Sequence, residues 1–257
     1  MISVLLSILR TLRRFQHAAF PFAGMLCYDF LISRGVHCVV AGKIPTARET
    51  DTATALQLAG RVDAEGFPAL ASWDHVATTR FDGDWQGKNP DPQRETEVRL
   101  LWSPDVLYLR FLARYRSITV FTDAEPNGRR DQLWEHDVAE VFLQPPGTGA
   151  GRYKEIEVSP NGFWIDLDIA PGEKRDLQSA LRRRVKVDEQ NKTWIAELAL
   201  PMKSLTTHFD PTKVWRANFF RVEGASEPRF YSAWRSTATP VPNFHVPESF
   251  GKLVFET

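Results

Sequence analysis

The chain has 257 residues, 43% of them hydrophobic and 12% aromatic, which is enough for one large all-β domain or two small ones. Its 32 basic and 32 acidic side chains cancel, which removes the global electrostatic case for nucleic acid or an anionic membrane as a partner. The two cysteines, Cys27 and Cys38, both lie near the N-terminus, so the rest of the chain has neither a disulfide nor a thiolate metal site.

Residues 2–9 are apolar but few, and Arg10, Arg13 and Arg14 follow them, the reverse of a secretory signal. A second apolar run over 18–32 is broken by Pro21, Gly24 and Asp29. It falls short of the roughly 20 residues of a spanning helix, so no membrane-spanning helix is expected. Arg10 to Arg14 followed by 18–26 has the order of a charged and an apolar signal region, without a clean cleavage site. Two readings stay open here: an irregular or mis-started extension, and a degenerate export signal or anchor. Residues 43–60 are polar and patternless and read as a linker. The expected organisation is an extension over 1–55 and one domain over 56–257.

Trp73 is expected under a sheet edge, and Asp82-Gly83-Asp84-Trp85 and Asn89-Pro90-Asp91-Pro92 are loop signals. Residues 97–102 and 106–112 alternate around a Ser103-Pro104-Asp105 turn and predict a hairpin. Residues 117–122 predict a short strand. The Gly-rich run 147–151 is followed by an alternating strand over 153–158, not by a helix, so it reads as a hairpin loop and not as a phosphate cradle. Further strands are predicted over 163–168, 181–188, 194–200, 215–223, 229–234 and 251–255, with one helical turn after Pro201. The basic run Arg182-Arg183-Arg184 marks an edge strand, since charges keep edges from pairing. Many short strands and few helices predict an antiparallel β-sandwich.

The stretch that carries chemistry is Leu133-Trp134-Glu135-His136-Asp137-Val138-Ala139-Glu140-Val141-Phe142-Leu143. Period-2 alternation puts Ala139, Val141 and Leu143 on one strand face and Glu140 on the other, between Val138 and Phe142. A dry, unpaired carboxylate is costly there, and a partly wet groove relieves it. Trp134, six residues earlier, falls near the mouth of the same groove. A flat ring beside a hydrogen-bonding carboxylate suits a sugar; a buried Trp and a structurally paired Glu would carry the same pattern.

A set of motifs runs in order through the chain: Leu133-Trp134-Glu135-x-Asp137-x-x-Glu140-Val141-Phe142; Tyr153-x-Glu155-x-x-Val158-Ser159-Pro160-Asn161-Gly162; Trp194-x-x-Glu197; Trp215-Arg216-x-Asn218-x-x-Arg221; Trp234; Phe244-His245-x-Pro247-x-x-Phe250-Gly251. This order resembles the carbohydrate-binding module family 9-like domains, over about residues 73–255. The resemblance implies a jelly-roll or Ig-like sandwich of DOMON type, non-catalytic carbohydrate binding, a link to polysaccharide breakdown in bacteria, an exported location, and a glycoside hydrolase as companion. It implies a sugar clamped between two Trp: Trp134 with Glu140 match one pair, and Trp234 matches the second ring by order in the chain. Arg221 stands where the family has a Gln, and Glu155 and Asn161 fall near other polar positions. Arg221 would also give Glu140 its counter-charge. Asn218 lies three residues from Arg221 and so points to the opposite face, and Arg221 is the preferred site residue.

No cofactor is expected. His245 is a further candidate ligand contact, and also the haem-ligand candidate of a second alternative, a haem-binding or structural DOMON-like module. A haem site needs an axial pair, and Met202 is the sole methionine in the domain. The first alternative is a glycoside-hydrolysing enzyme or its accessory subunit, with Glu140 paired to Glu155 or Glu157. No nucleophile elbow or HExxH motif accompanies them.

Overall fold

A computed structural model describes residues 51–257. The two cysteines and the apolar runs discussed above lie outside the described residues. The described chain forms thirteen strands: β1 (Thr52–Gln57), β2 (Thr79–Phe81), β3 (Thr96–Trp102), β4 (Val106–Arg114), β5 (Val138–Gln144), β6 (Tyr153–Val158), β7 (Trp164–Ala170), β8 (Glu173–Asp176), β9 (Arg182–Asp188), β10 (Thr193–Pro201), β11 (Trp215–Glu223), β12 (Phe230–Ala233) and β13 (Gly251–Glu256). One helical turn, α1 (Met202–Leu205), follows Pro201. No described helix is long and apolar enough to cross a membrane.

The strands share one hydrogen-bonded path, in the order β8-β7-β6-β5-β11-β13-β1-β3-β4-β10-β9, with β12 on β11 and β2 on β3. The path curls over on itself. Phe111 of β4 meets Phe219 of β11 edge-on, ring centroids 6.4 Å apart. Between the two halves lies the main core, which includes Leu100, Phe111, Trp194, Leu198, Val141, Phe219 and Trp215. A second core lies on the other face of β5, β6, β7 and β11, around Val138, Phe142, Ile165, Phe220 and Val222, covered by Phe244 and Phe250. Trp73 anchors a third cluster with Tyr108 and Leu101.

Three strand expectations are corrected. First, β1 lies inside the stretch read as a linker. Its Ala53 and Ala55 are fully buried in the main core, and small side chains there escaped a search for bulky alternation. Second, the sheet is not wholly antiparallel. β1 pairs parallel with both β13 and β3. Parallel neighbours need a long crossover, and the whole domain supplies it between β1 and β13. Third, residues 117–122 form no strand. Thr119 instead uses its carbonyl to accept from the Asp137 amide, which holds the entry to β5. β8, an exposed edge strand of Glu173-Lys174-Arg175-Asp176, was not predicted. Its four residues are all charged and exposed, so it has no apolar alternation to read.

Candidate functional site

The register of β5 decides what faces where. Ala139, Val141 and Leu143 enter the main core, while Val138 and Phe142 enter the second. Glu140 therefore stands on the second-core face. Its direct neighbour on β6 is Glu157, and Glu155 pairs with Phe142 on the same face. Three carboxylates thus share one patch of two adjacent strands. Glu140 is 2% exposed, Glu155 3% and Glu157 0%. Glu140 Oε1, Glu155 Oε2 and both carboxyl oxygens of Glu157 accept no hydrogen bond from an N–H or hydroxyl among the described residues, and a proton held between Glu157 and Glu155 is the contact that links two of the acids.

The patch floors a pocket of about 170 Å³. Trp134, Tyr231, Phe244 and His245 form its aromatic walls, and Lys174, Arg229 and Asn243 bring polar groups to it. That is smaller than the roughly 300–1,000 Å³ of pockets for drug-sized ligands, and fits a ligand of about one ring. Trp134 is placed by a 3₁₀ turn, Leu133–Glu135, entered through Gln132 in the left-handed region at φ 56°. Its carbonyl accepts from Arg229 Nη1 at 2.8 Å. Lys174 Nζ of β8 sits over its ring, 4.0 Å from the centroid. The Arg229 guanidinium lies over the Tyr231 ring and is shared with Glu227, 3.3 Å away. His245 Nδ1 and the Tyr153 hydroxyl are hydrogen-bonded at 2.6 Å, and Glu155 Oε2 is 3.9 Å from the same nitrogen.

Burial dominates the titration of the patch. It pushes the Glu140 and Glu157 carboxyls well above the usual carboxylate range; Glu155 raises Glu140 further, and Glu140 and then Glu155 raise Glu157 further. Arg229 opposes the shift at Glu140, and Lys174 opposes it at Glu157. Burial, then Glu155 and Glu140, also raises the Tyr153 phenol, which stays neutral.

The predicted site residues divide. Trp134, Glu140, Glu155 and His245 come together in the pocket. Trp234 does not. It is fully buried in the main core, its ring 5.3 Å from Phe219, and it packs so tightly on Gly251 that a Cβ there would lie 2.6 Å from the indole. The reason is parity. Tyr231 pairs with Val222 and faces the pocket, and Trp234, three residues on, faces the other way. The expected clamp of Trp134 and Trp234 is therefore not formed, and Tyr231 supplies a pocket wall instead. The parity count that separated Asn218 from Arg221 would have found this.

Arg221 also lies on the wrong face. It pairs with Ala139, whereas Phe220 pairs with Glu140. Its guanidinium is sealed in the main core, 3.5 Å from Glu223, 3.9 Å from Asp137 and 5.1 Å from the centroid of the Trp194 ring. It donates to the carbonyls of Val138, at 3.2 Å, and Val222. Burial raises Asp137 and Glu223 and lowers Arg221, and the attraction between them opposes each shift. Arg221 is thus the counter-charge of Asp137 and Glu223, not of Glu140. Asn218 is no site residue either. Fully buried, it accepts the Arg235 amide and donates to the Arg235 carbonyl, both at 2.9 Å.

Asn161 serves a turn away from the pocket, donating to the Phe121 carbonyl at 2.9 Å. Among the described residues, His245 and the one methionine, Met202, lie at different cores. Met202 is buried in the main core, while His245 stacks towards Phe142 in the second. Tyr231, Arg229 and Lys174 are pocket residues that the sequence reading did not include among its candidates, and Glu157 entered it only as the possible partner of Glu140 in the enzyme alternative.

Residues 84–255, more than half of the chain, match carbohydrate-binding family 9. The chain belongs to this family. A family 9 module from Caldicellulosiruptor kristjanssonii, solved with cellotriose, superposes with a TM-score of 0.56 at 14% identity, over 80% of this chain and 93% of that one. A Bacteroides uniformis protein superposes at 0.64 and 17% identity, over 80% of this chain and 99% of its own. Among curated proteins, an Arthroderma benhamiae protein named "Extracellular protein" is 24% identical over 203 residues, 72% of this chain and 88% of that protein. The Rattus norvegicus homologue of UPF0462 protein C4orf33 is 29% identical over 139 residues, 52% of this chain and 66% of that protein. The family 9 assignment supports carbohydrate as the ligand class.

Proposed function

We propose that this chain binds the end of a carbohydrate without hydrolysing it, one ring resting against Trp134. The observation that carries this is the meeting of Trp134 with Glu140 and Glu155 in one small pocket, where Glu140 Oε1 and Glu155 Oε2 have no protein donor. Sugar C–H faces are weakly apolar and stack on indole, while hydroxyls need directional acceptors. Tyr231 and Phe244 complete the apolar wall, and Asn243 and His245 add polar contacts at the rim. The family 9 module solved with cellotriose supports a β-linked glucan end as a ligand. The curled sheet is read as a β-sandwich of jelly-roll or Ig-like, DOMON type. A role in polysaccharide breakdown beside a glycoside hydrolase, and an exported location, complete the proposal; the name of the Arthroderma relative supports the last. Calorimetric titration with glucose and cello-oligosaccharides tests it: binding that Trp134→Ala abolishes is expected, and no heat from any sugar would end it.

A second reading is favoured by one arrangement. Glu140 and Glu157 are directly opposed across β5 and β6, and a carboxyl with a raised pKa is what a glycosidic general acid requires. Release of reducing ends from xylan or cellulose that disappears in Glu140→Gln would establish it.

A further inference from the structure

We propose that the preferred sugar is a cationic one: an amino sugar whose ammonium group sits against Glu140 and Glu157. This rests on the carbohydrate reading and names its substrate class. Three carboxylates, each more than nine-tenths buried, line one side of the pocket. Their unpartnered oxygens point to a missing donor, and a neutral hydroxyl supplies a hydrogen bond but no charge that would let Glu140 and Glu157 give up the protons that burial makes them hold. An ammonium does both: it brings three N–H donors, and its positive charge draws the buried carboxyls into their ionised form.

Among the described residues neither Arg229 nor Lys174 is ion-paired with the three carboxyls, although each acts on one of them through space. Arg229 is held by Glu227 and by the Trp134 carbonyl. Lys174 lies over the Trp134 ring, with its stem on the exposed strand β8. That contact is an independent sign of what the pocket takes. An ammonium already rests at 4.0 Å on the indole that the sugar would use, where the ring quadrupole attracts cations. On an exposed edge strand Lys174 can move aside at little cost, and a ligand ammonium would then take over the charge between Trp134 and the carboxylates. A divalent ion is the weaker occupant. Among the described residues, no group of three His, Cys, Asp or Glu is arranged to hold a metal. N-acetylation would remove the charge and add bulk in a pocket of about 170 Å³.

The test compares three β-1,4-linked trisaccharides on the full chain by calorimetric titration: glucosamine, N-acetylglucosamine and glucose, with trilysine as a non-sugar cation. The glucosamine trimer should bind at least tenfold more tightly than the other two, and trilysine should not bind. Glu140→Gln and Glu157→Gln, each near-isosteric and checked for an unchanged fold by circular dichroism, should bring the three sugars to within about twofold. Equal or tighter binding of the glucose trimer to the wild-type chain overturns the charge preference and leaves the carbohydrate reading standing. Binding of none of the sugars overturns both. Trilysine binding as well as the glucosamine trimer also overturns the inference, since charge alone would then suffice. The wild-type comparison decides the matter even where a variant fails to fold.

Discussion

Glu140 and Glu157 hold their protons to higher pH in the folded chain than in the unfolded chain, where carboxyls of this kind ionise near 4.5. Between those two values the native state binds more protons than the unfolded state, so stability falls as pH rises. Each group contributes up to about 1.4 kcal/mol per pH unit within that window. Below the unfolded value both states are protonated and the full stability is present. Glu157→Gln removes one of these titrations. It should melt higher than the parent at pH 8, show a flatter dependence of Tm on pH, and converge with the parent near pH 4. Identical melting curves at pH 8 would mean that Glu157 is ionised at no cost in the folded chain. The two tryptophans separate in the same way. Trp234→Ala empties a fully buried site and should cost about 3–5 kcal/mol. Trp134→Ala, at a half-buried pocket wall, should stay close to the parent in stability and lose sugar binding. Chemical denaturation of both variants beside calorimetry distinguishes them, and an unstable Trp134→Ala with a stable Trp234→Ala would reverse the assignment.

At the scale of elements, alternation was the legible signal. It placed Glu140 opposite Ala139 and Val141, found β9 through its arginines, and stopped β10 at Pro201. It failed where side chains are small or wholly polar: β1 buries alanines, and β8 buries nothing. Pairing partners are not written in a single strand. Which face of β11 meets β5 depends on register, and register put Phe220 rather than Arg221 beside Glu140. A Trp at the right place in chain order likewise says nothing of parity, so Trp234 read as a clamp although the strand turns Tyr231 to the pocket. The arrangement of β1 yields a prediction of its own. It lies between β13 and β3 and buries Ala53 and Ala55. A chain beginning at Asp51 should melt within a few degrees of the full chain, whereas one beginning at Leu58 loses two ladders and should not fold cooperatively. A cooperative melt from the shorter chain would show that β13 and β3 close the path without β1. Arg221 is a cross-element device of another kind, since it joins β11 to the entry of β5 through Asp137. Arg221→Met leaves two buried acids without their counter-ion, and should cost about 3–5 kcal/mol.

Across the whole described domain, the main core and the candidate pocket lie on different faces of the same strands. The main core between the curled halves holds Trp194, Trp215, Trp234 and the Arg221 ion cluster. The pocket lies on the second-core face, where Trp134 packs at the edge and carboxyl oxygens of Glu140, Glu155 and Glu157 lack an N–H or hydroxyl donor. Binding should therefore add to stability without depending on the main core. A ligand that binds only the native state at a hundred times its Kd contributes about 2.7 kcal/mol. For a domain of this size each kcal/mol moves Tm by roughly 2–4 °C, so saturation should raise Tm by about 5–10 °C. In Trp134→Ala that rise should vanish from a nearly normal starting Tm. In Trp234→Ala it should persist on top of a lowered one, provided the variant still folds at the temperature of the experiment. Differential scanning calorimetry with and without ligand gives all the values needed. Loss of the ligand-induced rise in Trp234→Ala, with unchanged calorimetric enthalpy per folded molecule, would show that the main core and the pocket are coupled and that parity alone does not separate them.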